Sequence, residues 1–287
     1  MAKKQISKKE IKAIISLLDD EDSEVTTNVE EKLLSYGGQV IPILENEWEK
    51  NFSPIIQRRI EEIVHTLQFD QLKERLHQWS GSKDKELLKG MWLIATYQYP
   101  DLEFITLKKN IEQIYHQVWT EFINTELQPY DQVKILNGVL FSKLRFSANT
   151  KNFHSPGNSM INSVLDSKKG NPISLSVIYL LVAKKLKLPI YGVNLPNLFI
   201  LTYKTKKMQF YINAFNRGII FSMDDINHYI SELKLAPTES YFQPCENIDI
   251  ICRVFRNLIV SFEKIGDHYK VDEIKQLLKV VSDESIP

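Results

Sequence analysis

The sequence has little of two things that often assign a chain to a class, namely cysteine and net charge. Its 287 residues contain two cysteines, and 36 basic residues balance 36 acidic ones. Two cysteines make a disulfide framework improbable, which favours a reducing compartment. A neutral chain argues against a polyanion-binding protein, although it leaves room for a local basic patch. The spacing of Cys245 and Cys252 predicts that both lie on one helix face as small apolar side chains.

Long apolar runs and phosphate-binding loops are also missing. The longest apolar run, 175–183, is far shorter than the roughly 20 residues that a membrane-spanning helix needs. The N-terminus carries positive charge without the apolar segment of a signal peptide. Neither the GxxxxGKS/T pattern nor GxGxxG occurs. We therefore expect a cytoplasmic protein with no membrane partner and no cofactor.

The first half of the chain has the apolar spacing of helices joined by short loops. The acidic run at 19–25 and the stop signal Tyr36-Gly37-Gly38 bound one helix, and Pro54 fits the first turn of another over Ile55–Leu67. Residues 17–45 resemble one HEAT-type repeat, and the same pattern fits a plain helical bundle. Further helical segments are predicted at 69–79, 84–97, 102–124 and 130–145.

The second half mixes loops, strands and helices. Pro172 is placed where a helix can begin, and the helix Ile173–Leu186 is apolar on most faces, which predicts burial. Ser222 and Asp225 form a capping box that opens a helix to about Leu233. Predicted strands are Tyr191–Leu195, Phe199–Tyr203, Met208–Ile212 and Ile219–Phe221, and two further helices run from about Ile248 to Phe262 and over Val271–Val281.

Several separated blocks between about Gly90 and Phe221 resemble the SirB-type family of transglutaminase-like proteins. The blocks, in order, are Phe153-His-Ser-Pro156-Gly-Asn158-Ser159, Lys169-Gly170-Asn-Pro172-Ile173-Ser174, Gly192-Val193-Asn194-Leu195-Pro196 and Phe215-Asn216-Arg217-Gly218. The wider superfamily, which includes papain-like thiol enzymes, uses a Cys, His, Asp triad in that chain order. Its cysteine opens the core helix, and the other two residues lie on the following strands.

The resemblance implies that all three triad positions lack their chemistry in this sequence. The cysteine position matches Pro172, the histidine position matches Leu198, and the aspartate position matches Asn213. A proline offers no nucleophile, a leucine cannot accept a proton, and an amide cannot stabilise an imidazolium as a carboxylate does. We therefore expect that the protein is not an enzyme and has no catalytic residues.

Three other sites are conceivable, and for each of them the same residues have a structural alternative. Ser174 with His154 would form a relocated hydrolase pair, and the alternative is that Ser174 caps or packs in the helix. The pairs Glu61/His65 and Glu112/His116 have i,i+4 spacing for a metal, yet further ligands are not visible, so we expect no metal. The lysines around the core would form a nucleic-acid patch, and solvated helix ends are the alternative. They are Lys143, Lys151, Lys168, Lys169, Lys184, Lys185 and Lys187, with Arg145.

The combined expectation is an α+β protein with a helical, HEAT-like N-terminal region, a transglutaminase-like core with a small antiparallel sheet, and C-terminal helices. The predicted domains are 1–85, 86–235 and 236–287. The predicted function is a non-catalytic binding or regulatory module for a protein or peptide, without nucleic acid as a partner. The alternatives are a hydrolase or transferase that uses Ser174 and a nucleic-acid-linked regulator. Candidate cleft-lining residues are Asn158, Ser159, Asn162, Asn171, Ser174 and Asn197.

Overall fold

The structure is a computed structural model that describes residues 7–122 and 127–282. Its backbone contacts divide the chain into two compact units, Met1–Arg75 and Leu76–Pro287. The predicted domain boundaries after residues 85 and 235 remain predictions. Within the described ranges, no helix is long and apolar enough to cross a membrane.

The first unit is helical, and its helices share one apolar core. The helices are α1 (Lys8–Ile15), α2 (Ser23–Ser35), α3 (Ile41–Lys50) and α4 (Pro54–Ser80), the last of which continues into the second unit. The Asp22 carboxylate caps α2 by accepting the Glu24 N–H at 2.8 Å, as the acidic run predicts. The core is built from residues of α1 to α4 and of the turns between them, among them Ile11, Leu18, Leu33, Leu44 and Ile60.

The prediction of two separate helices at Ile55–Leu67 and 69–79 was wrong, because α4 is continuous through both. No glycine or proline occurs between residues 55 and 80, so nothing in the sequence interrupts the helix. Pro54 is the first residue of α4, as predicted.

The second unit contains the remaining helices and all described strands. Its helices are α5 (Leu87–Thr96), α6 (Phe104–Trp119), α7 (Pro129–Asn137), α8 (Ile161–Ser167), α9 (Pro172–Lys185), α10 (Met223–Glu232), α11 (Asn247–Ile265) and α12 (His268–Val281). A π-helical segment, Gly138–Lys143, continues α7. Short 3-10 turns occur at Pro156–Ser159, Ala214–Asn216 and Glu239–Phe242. In chain order, α9 follows the loop-rich segment 144–171 and precedes the strands of the sheet.

The sheet contains the four strands that the sequence predicts. They are β3 (Ile190–Leu195), β4 (Leu198–Lys204), β5 (Gln209–Asn213) and β6 (Ile219–Phe221), antiparallel and in that order. A separate parallel pair, β1 (Ser147–Ala148) and β2 (Lys169–Gly170), lies just before α9 in the chain and was not predicted. The predicted α+β class is confirmed.

The two faces of the four-stranded sheet belong to different cores. On one face Val193, Ile200 and Tyr211 pack with Ile226 and Ile230 of α10. The alternate strand residues, such as Phe199, Leu201 and Ile212, are buried on the other face. Since α9 contacts β3 and β4, and the α10 core contains no described residue of α9, α9 covers that second face.

The outer edge of β3 is covered by the chain that precedes and begins α11. The Cys245 N–H donates to the Gly192 carbonyl at 2.9 Å, and the Arg253 guanidinium donates to the Leu195 carbonyl at 3.3 Å. The prediction that Cys245 and Cys252 share a helix face was wrong, because α11 begins at Asn247, after Cys245. Both cysteines are free thiols, as expected.

Candidate functional site

Pro172 is the first residue of α9, and Asn171 caps the helix. The Asn171 Oδ1 atom accepts the Ser174 N–H at 2.9 Å, and the Ser174 Oγ atom accepts the Asn171 N–H at 3.0 Å. This reciprocal capping box gives partners to amides that a helix start leaves unpaired. The Ser174 hydroxyl also donates to the Asn171 carbonyl at 3.2 Å, and Ser174 is only 1% exposed. The hydroxyl weighed as a relocated nucleophile is therefore engaged in the cap.

Gly170 leaves the space that the Ser174 hydroxyl fills. A Cβ atom at position 170 would lie 2.4 Å from Ser174 Oγ and 3.0 Å from Val164 Cγ1. Gly170 is also the residue that pairs with Ala148 in the parallel β1–β2 ladder. The glycine before α9 is thus explained by the close approach of a neighbouring side chain.

Asn158 ties down the lead-in segment that precedes α8. Its Oδ1 atom accepts from the Asn149 side-chain amide at 2.8 Å. Its Nδ2 atom donates to the carbonyl oxygens of Asn152 at 2.7 Å and Phe153 at 2.9 Å. Asn158 is buried, so these bonds replace contacts with water. Its side chain is directed to the protein's own backbone.

The remaining candidate cleft residues divide into two groups. Ser159 is buried, and its Oγ atom accepts the Asn171 side-chain amide at 2.9 Å, which joins the lead-in to the cap of α9. Asn162 is half-buried, and its Oδ1 atom has no hydrogen-bond partner among the described residues. Asn197 is exposed in the β3–β4 turn, where its φ of +57° suits an asparagine. The structure therefore connects Asn171 with Ser159 and Ser174, and it forms no such bond to Asn197.

Asn213 ends β5 and shapes the turn that follows. Its Oδ1 atom accepts the N–H groups of Phe215 at 3.0 Å and Asn216 at 3.2 Å, and the residue is 5% exposed. The Asn213 carbonyl accepts the Gly218 N–H at 2.8 Å. The amide at the position that the resemblance assigns to the aspartate thus acts as a cap for the 3-10 turn Ala214–Asn216.

Leu198 begins β4 and packs on the sheet face that α10 covers. It is half-buried and contacts the core of Ile200, Tyr211 and Ile226. Strand alternation places it on the same face as Ile200 and on the opposite face from Phe199. The side chain at the position that the resemblance assigns to the histidine is therefore directed into the α10 core and away from the face that α9 covers.

An aromatic cluster lies near the start of α9. The 3-10 turn Ala214–Asn216 contacts both α9 and β1, and β1 pairs with β2, which leads into α9. The Phe153 and Phe215 rings meet edge to face with centroids 6.1 Å apart, and the His154 ring lies 5.2 Å from Phe153. Phe153 is 45% exposed. We call these three residues the aromatic surface.

The aromatic surface was not predicted as a site, although the sequence held a signal for it. Phe153 and Phe215 each belong to a block that resembles the SirB-type family, yet 62 positions separate them in the chain. Only the folded chain brings the two rings together.

The two Glu/His pairs with metal-ligand spacing make other interactions in the structure. Glu112 accepts from the Lys185 ammonium, which holds the pKa of that carboxyl below its usual value. His116 lies 3.5 Å from the same carboxylate on the exposed face of α6. In the other pair, Glu61 accepts the indole N–H of Trp48 at 2.9 Å. These contacts are those of paired surface side chains.

Two lysines of the candidate nucleic-acid patch also interact with groups of the protein itself. Lys143 pairs with Glu121, and the Lys168 ammonium donates to the Leu165 carbonyl while lying 4.8 Å from the Phe146 ring centroid. Burial lowers the pKa of Lys168 from its usual value. These two lysines therefore present less free charge than the sequence suggests.

Neither the position nor the acidity of Cys245 fits an activated thiol. Burial raises the pKa of Cys245 to about 12, and the Asp249 carboxylate adds to the shift. A catalytic thiol needs the opposite shift, because the thiolate is the nucleophile. Cys245 lies against Gly192 at the edge of β3. It therefore does not supply the nucleophile that the resemblance would place at the start of α9.

Cys245 should react slowly with iodoacetamide in the folded protein. Because its pKa is raised to about 12, the alkylation rate at about pH 8 should be at least about tenfold below that of free cysteine, and it should still rise at about pH 10. Peptide mapping by mass spectrometry after timed alkylation measures this rate. The urea-unfolded chain is the control and should react like free cysteine. A rate that levels off below about pH 8 would contradict the assignment.

Comparisons with known proteins place these features in a family context. A family model described as "Transglutaminase-like superfamily" matches residues 105–256. The "UPF0162 protein" of Xylella fastidiosa strain Temecula1 is 29% identical over 185 residues, which are 60% of this chain and 63% of that protein. The mouse (Mus musculus) "F-box only protein 21" is 26% identical over 152 residues, 50% of this chain and 23% of that protein. The chain therefore spans less than two thirds of each relative, and no solved structure matches it.

Proposed function

Because the chain belongs to the transglutaminase-like superfamily, we propose that it is a non-catalytic, SirB-type member that binds a protein or peptide. We interpret residues 1–85 as a HEAT-like helical region and the whole as a regulatory module. The two free thiols are consistent with the cytoplasm that we assign to it.

The state of the three triad positions is the observation that best supports a non-catalytic role. Pro172 supplies no nucleophile, Leu198 packs into the α10 core, and Asn213 caps a turn. The nearby Ser174 hydroxyl is buried in its capping box. A serine nucleophile needs an exposed hydroxyl within reach of a base, and His154 makes its described ring contact with Phe153 instead.

The aromatic surface supports a binding role at the same end of α9. Aromatic side chains are enriched in protein interfaces, where they bury a large area with few rotatable bonds. The Phe153 side chain is 45% exposed. Its backbone is held in place, because the Asn158 side-chain amide donates to the Phe153 carbonyl oxygen. The backbone is thus fixed while the ring is left for a partner, which lowers the entropy lost on binding.

Peptides that bind the full-length chain should depend on the aromatic surface. We expect that peptides selected from a random displayed library bind the Phe153→Ala/Phe215→Ala variant at least about tenfold more weakly, because two apolar anchors are lost. Fluorescence polarisation with the selected, labelled peptides measures the affinity. The control variant is Tyr269→Ala, which removes a 64% exposed ring on α12 and should leave the affinity unchanged.

Three outcomes would contradict this function. Peptides that bind both variants equally would move the binding site away from the start of α9. Labelling of the native chain by a serine-directed fluorophosphonate, abolished by Ser174→Ala, would establish the alternative of a relocated nucleophile. Salt-sensitive retention on DNA or RNA that is lost on charge reversal of Lys169 and Lys184 would instead favour a nucleic-acid-linked regulator.

A further inference from the structure

A cavity of about 740 Å³ lies at the end of α9 that is far from the triad positions. The first residues of α5, the last turns of α9, the start of β3 and the start of α11 enclose it, together with Ile111 of α6. Every lining residue belongs to the second unit. Its volume is within the range of about 300–1,000 Å³ that small-molecule sites occupy.

Apolar side chains form most of the cavity wall. They include Leu87, Leu88, Ile111, Leu180, Leu188 and Ile250. The wall is closely packed at Gly192, since a Cβ atom there would lie 2.7 Å from Phe199 Cζ and 3.2 Å from Cys245 Sγ. The thiol of Cys245 is a weak hydrogen-bond donor that behaves as an apolar group. The interior therefore suits a hydrocarbon chain more than a polar molecule.

The polar part of the lining is mainly cationic. Lys184, Lys185 and Lys187 contribute to it, and Glu86 is the acidic residue of the lining. Lys185 already pairs with Glu112, whereas Lys184 and Lys187 form no ion pair within the part of the chain that the structure describes. Two lysines are thus available to an anion at the edge of an apolar space.

The C-terminal end of α9 also contributes a partial negative charge, which disfavours an anion. Its last carbonyls are already occupied, because the N–H groups of Leu186, Lys187 and Leu188 donate to Val182, Lys184 and Ala183, respectively. A helix end is equivalent to about half an elementary charge, and two unpaired lysines carry four times as much. Glu86 offsets one of the two lysine charges, and the remaining charge still exceeds that of the helix end, so the cavity edge favours a negatively charged group.

We propose that this cavity binds a fatty carboxylate with an alkyl chain of about twelve carbons. The hydrocarbon chain lies among the leucine and isoleucine side chains, and the carboxylate faces Lys184 and Lys187. An apolar interior with a cationic edge matches a ligand that is apolar along its length and anionic at one end. The site is separate from the aromatic surface, so the two proposals can fail independently.

Calorimetric titration of the full-length chain with dodecanoate tests the proposal. We expect saturable binding that Leu188→Trp, which places a larger side chain in the cavity wall, weakens at least about tenfold. The Lys184→Glu/Lys187→Glu variant should bind dodecanoate at least about tenfold more weakly. Its affinity for dodecanol should be unchanged, since the alcohol carries no charge. The matched control is Lys206→Glu/Lys207→Glu, which reverses two exposed lysines on the β4–β5 turn, outside the lining.

Each contrary result has a distinct meaning. The absence of dodecanoate binding up to about 1 mM would overturn the proposal. Binding that neither Leu188→Trp nor the Lys184/Lys187 reversal alters would show adsorption elsewhere on the surface. Dodecanoate and dodecanol affinities that respond equally to Leu188→Trp, with no effect of charge reversal, would show a neutral apolar site and overturn the carboxylate assignment. Unchanged circular dichroism spectra establish that the variants are folded.

Discussion

Replacing Gly170 by alanine should lower the free energy of unfolding by about 2–4 kcal/mol. The added methyl group would stand 2.4 Å from Ser174 Oγ, so the hydroxyl must leave its position. The capping box of α9 then loses the bond from the Asn171 N–H, and Val164 must shift as well. A loss of helix capping and an overpacked core combine in one substitution.

Urea unfolding followed by circular dichroism measures this change, and hydrogen exchange over residues 146–176 shows where protection is lost. The matched control is Gly138→Ala. Gly138 has helical backbone angles, and a Cβ atom there meets no atom within 4 Å, so alanine should be neutral or slightly stabilising. A Gly170→Ala variant as stable as the Gly138→Ala variant would show that the Ser174 hydroxyl is not fixed in its cap.

Replacing Asn158 by alanine should cost about 2–3 kcal/mol of folding free energy. Three hydrogen bonds disappear from a buried position: the Phe153 carbonyl oxygen loses the Asn158 donor, and the Asn152 carbonyl oxygen keeps only the Ser155 N–H. The Asn149 amide loses its acceptor at the same time. Because unpaired polar groups in a partly buried site are costly, the loss should exceed that of a surface substitution.

The Asn158→Ala variant should also have a lower affinity for the peptides that depend on the aromatic surface, because the backbone of Phe153 is no longer held by the Asn158 amide. Urea unfolding and the peptide affinity are measured on the same sample. Asn152→Ala is the control, since its exposed side chain makes no hydrogen bond in the described structure, and both quantities should stay within error. Loss of stability without loss of affinity would show that the Phe153 carbonyl bond does not position the ring.

The strands and the caps could be predicted because their signals are local. Alternation of apolar residues and the Pro196-Asn197 turn place β3 and β4 to within a residue or two, and Ser222 with Asp225 places the start of α10. Asn171 was different. The sequence placed it beside Pro172 as a candidate cleft residue, but not as the partner of Ser159, which lies 12 positions earlier. The direction of a polar side chain depends on tertiary contacts, which no local pattern records.

The cavity and the aromatic surface were beyond prediction for a related reason. The cavity wall is assembled from five separate elements, and the aromatic surface joins residues from two distant loops. The error at Cys245 has a similar origin. A seven-residue spacing fits one helix face, but the Cys245 N–H bonds to the Gly192 carbonyl of β3, and the residue lies in the segment before α11 begins at Asn247.

The cover along β3 also bears on how the protein avoids association through its sheet. An uncovered strand edge is a template on which another chain can add a strand and begin aggregation. β3 is six residues long and mostly apolar, so it would be the more hazardous edge, and the Cys245 amide and the Arg253 guanidinium occupy carbonyls on it. The opposite edge, β6, is only three residues long, which is too short to recruit a partner strand efficiently. The segment before α11 thus covers the edge of the sheet and also forms part of the cavity wall.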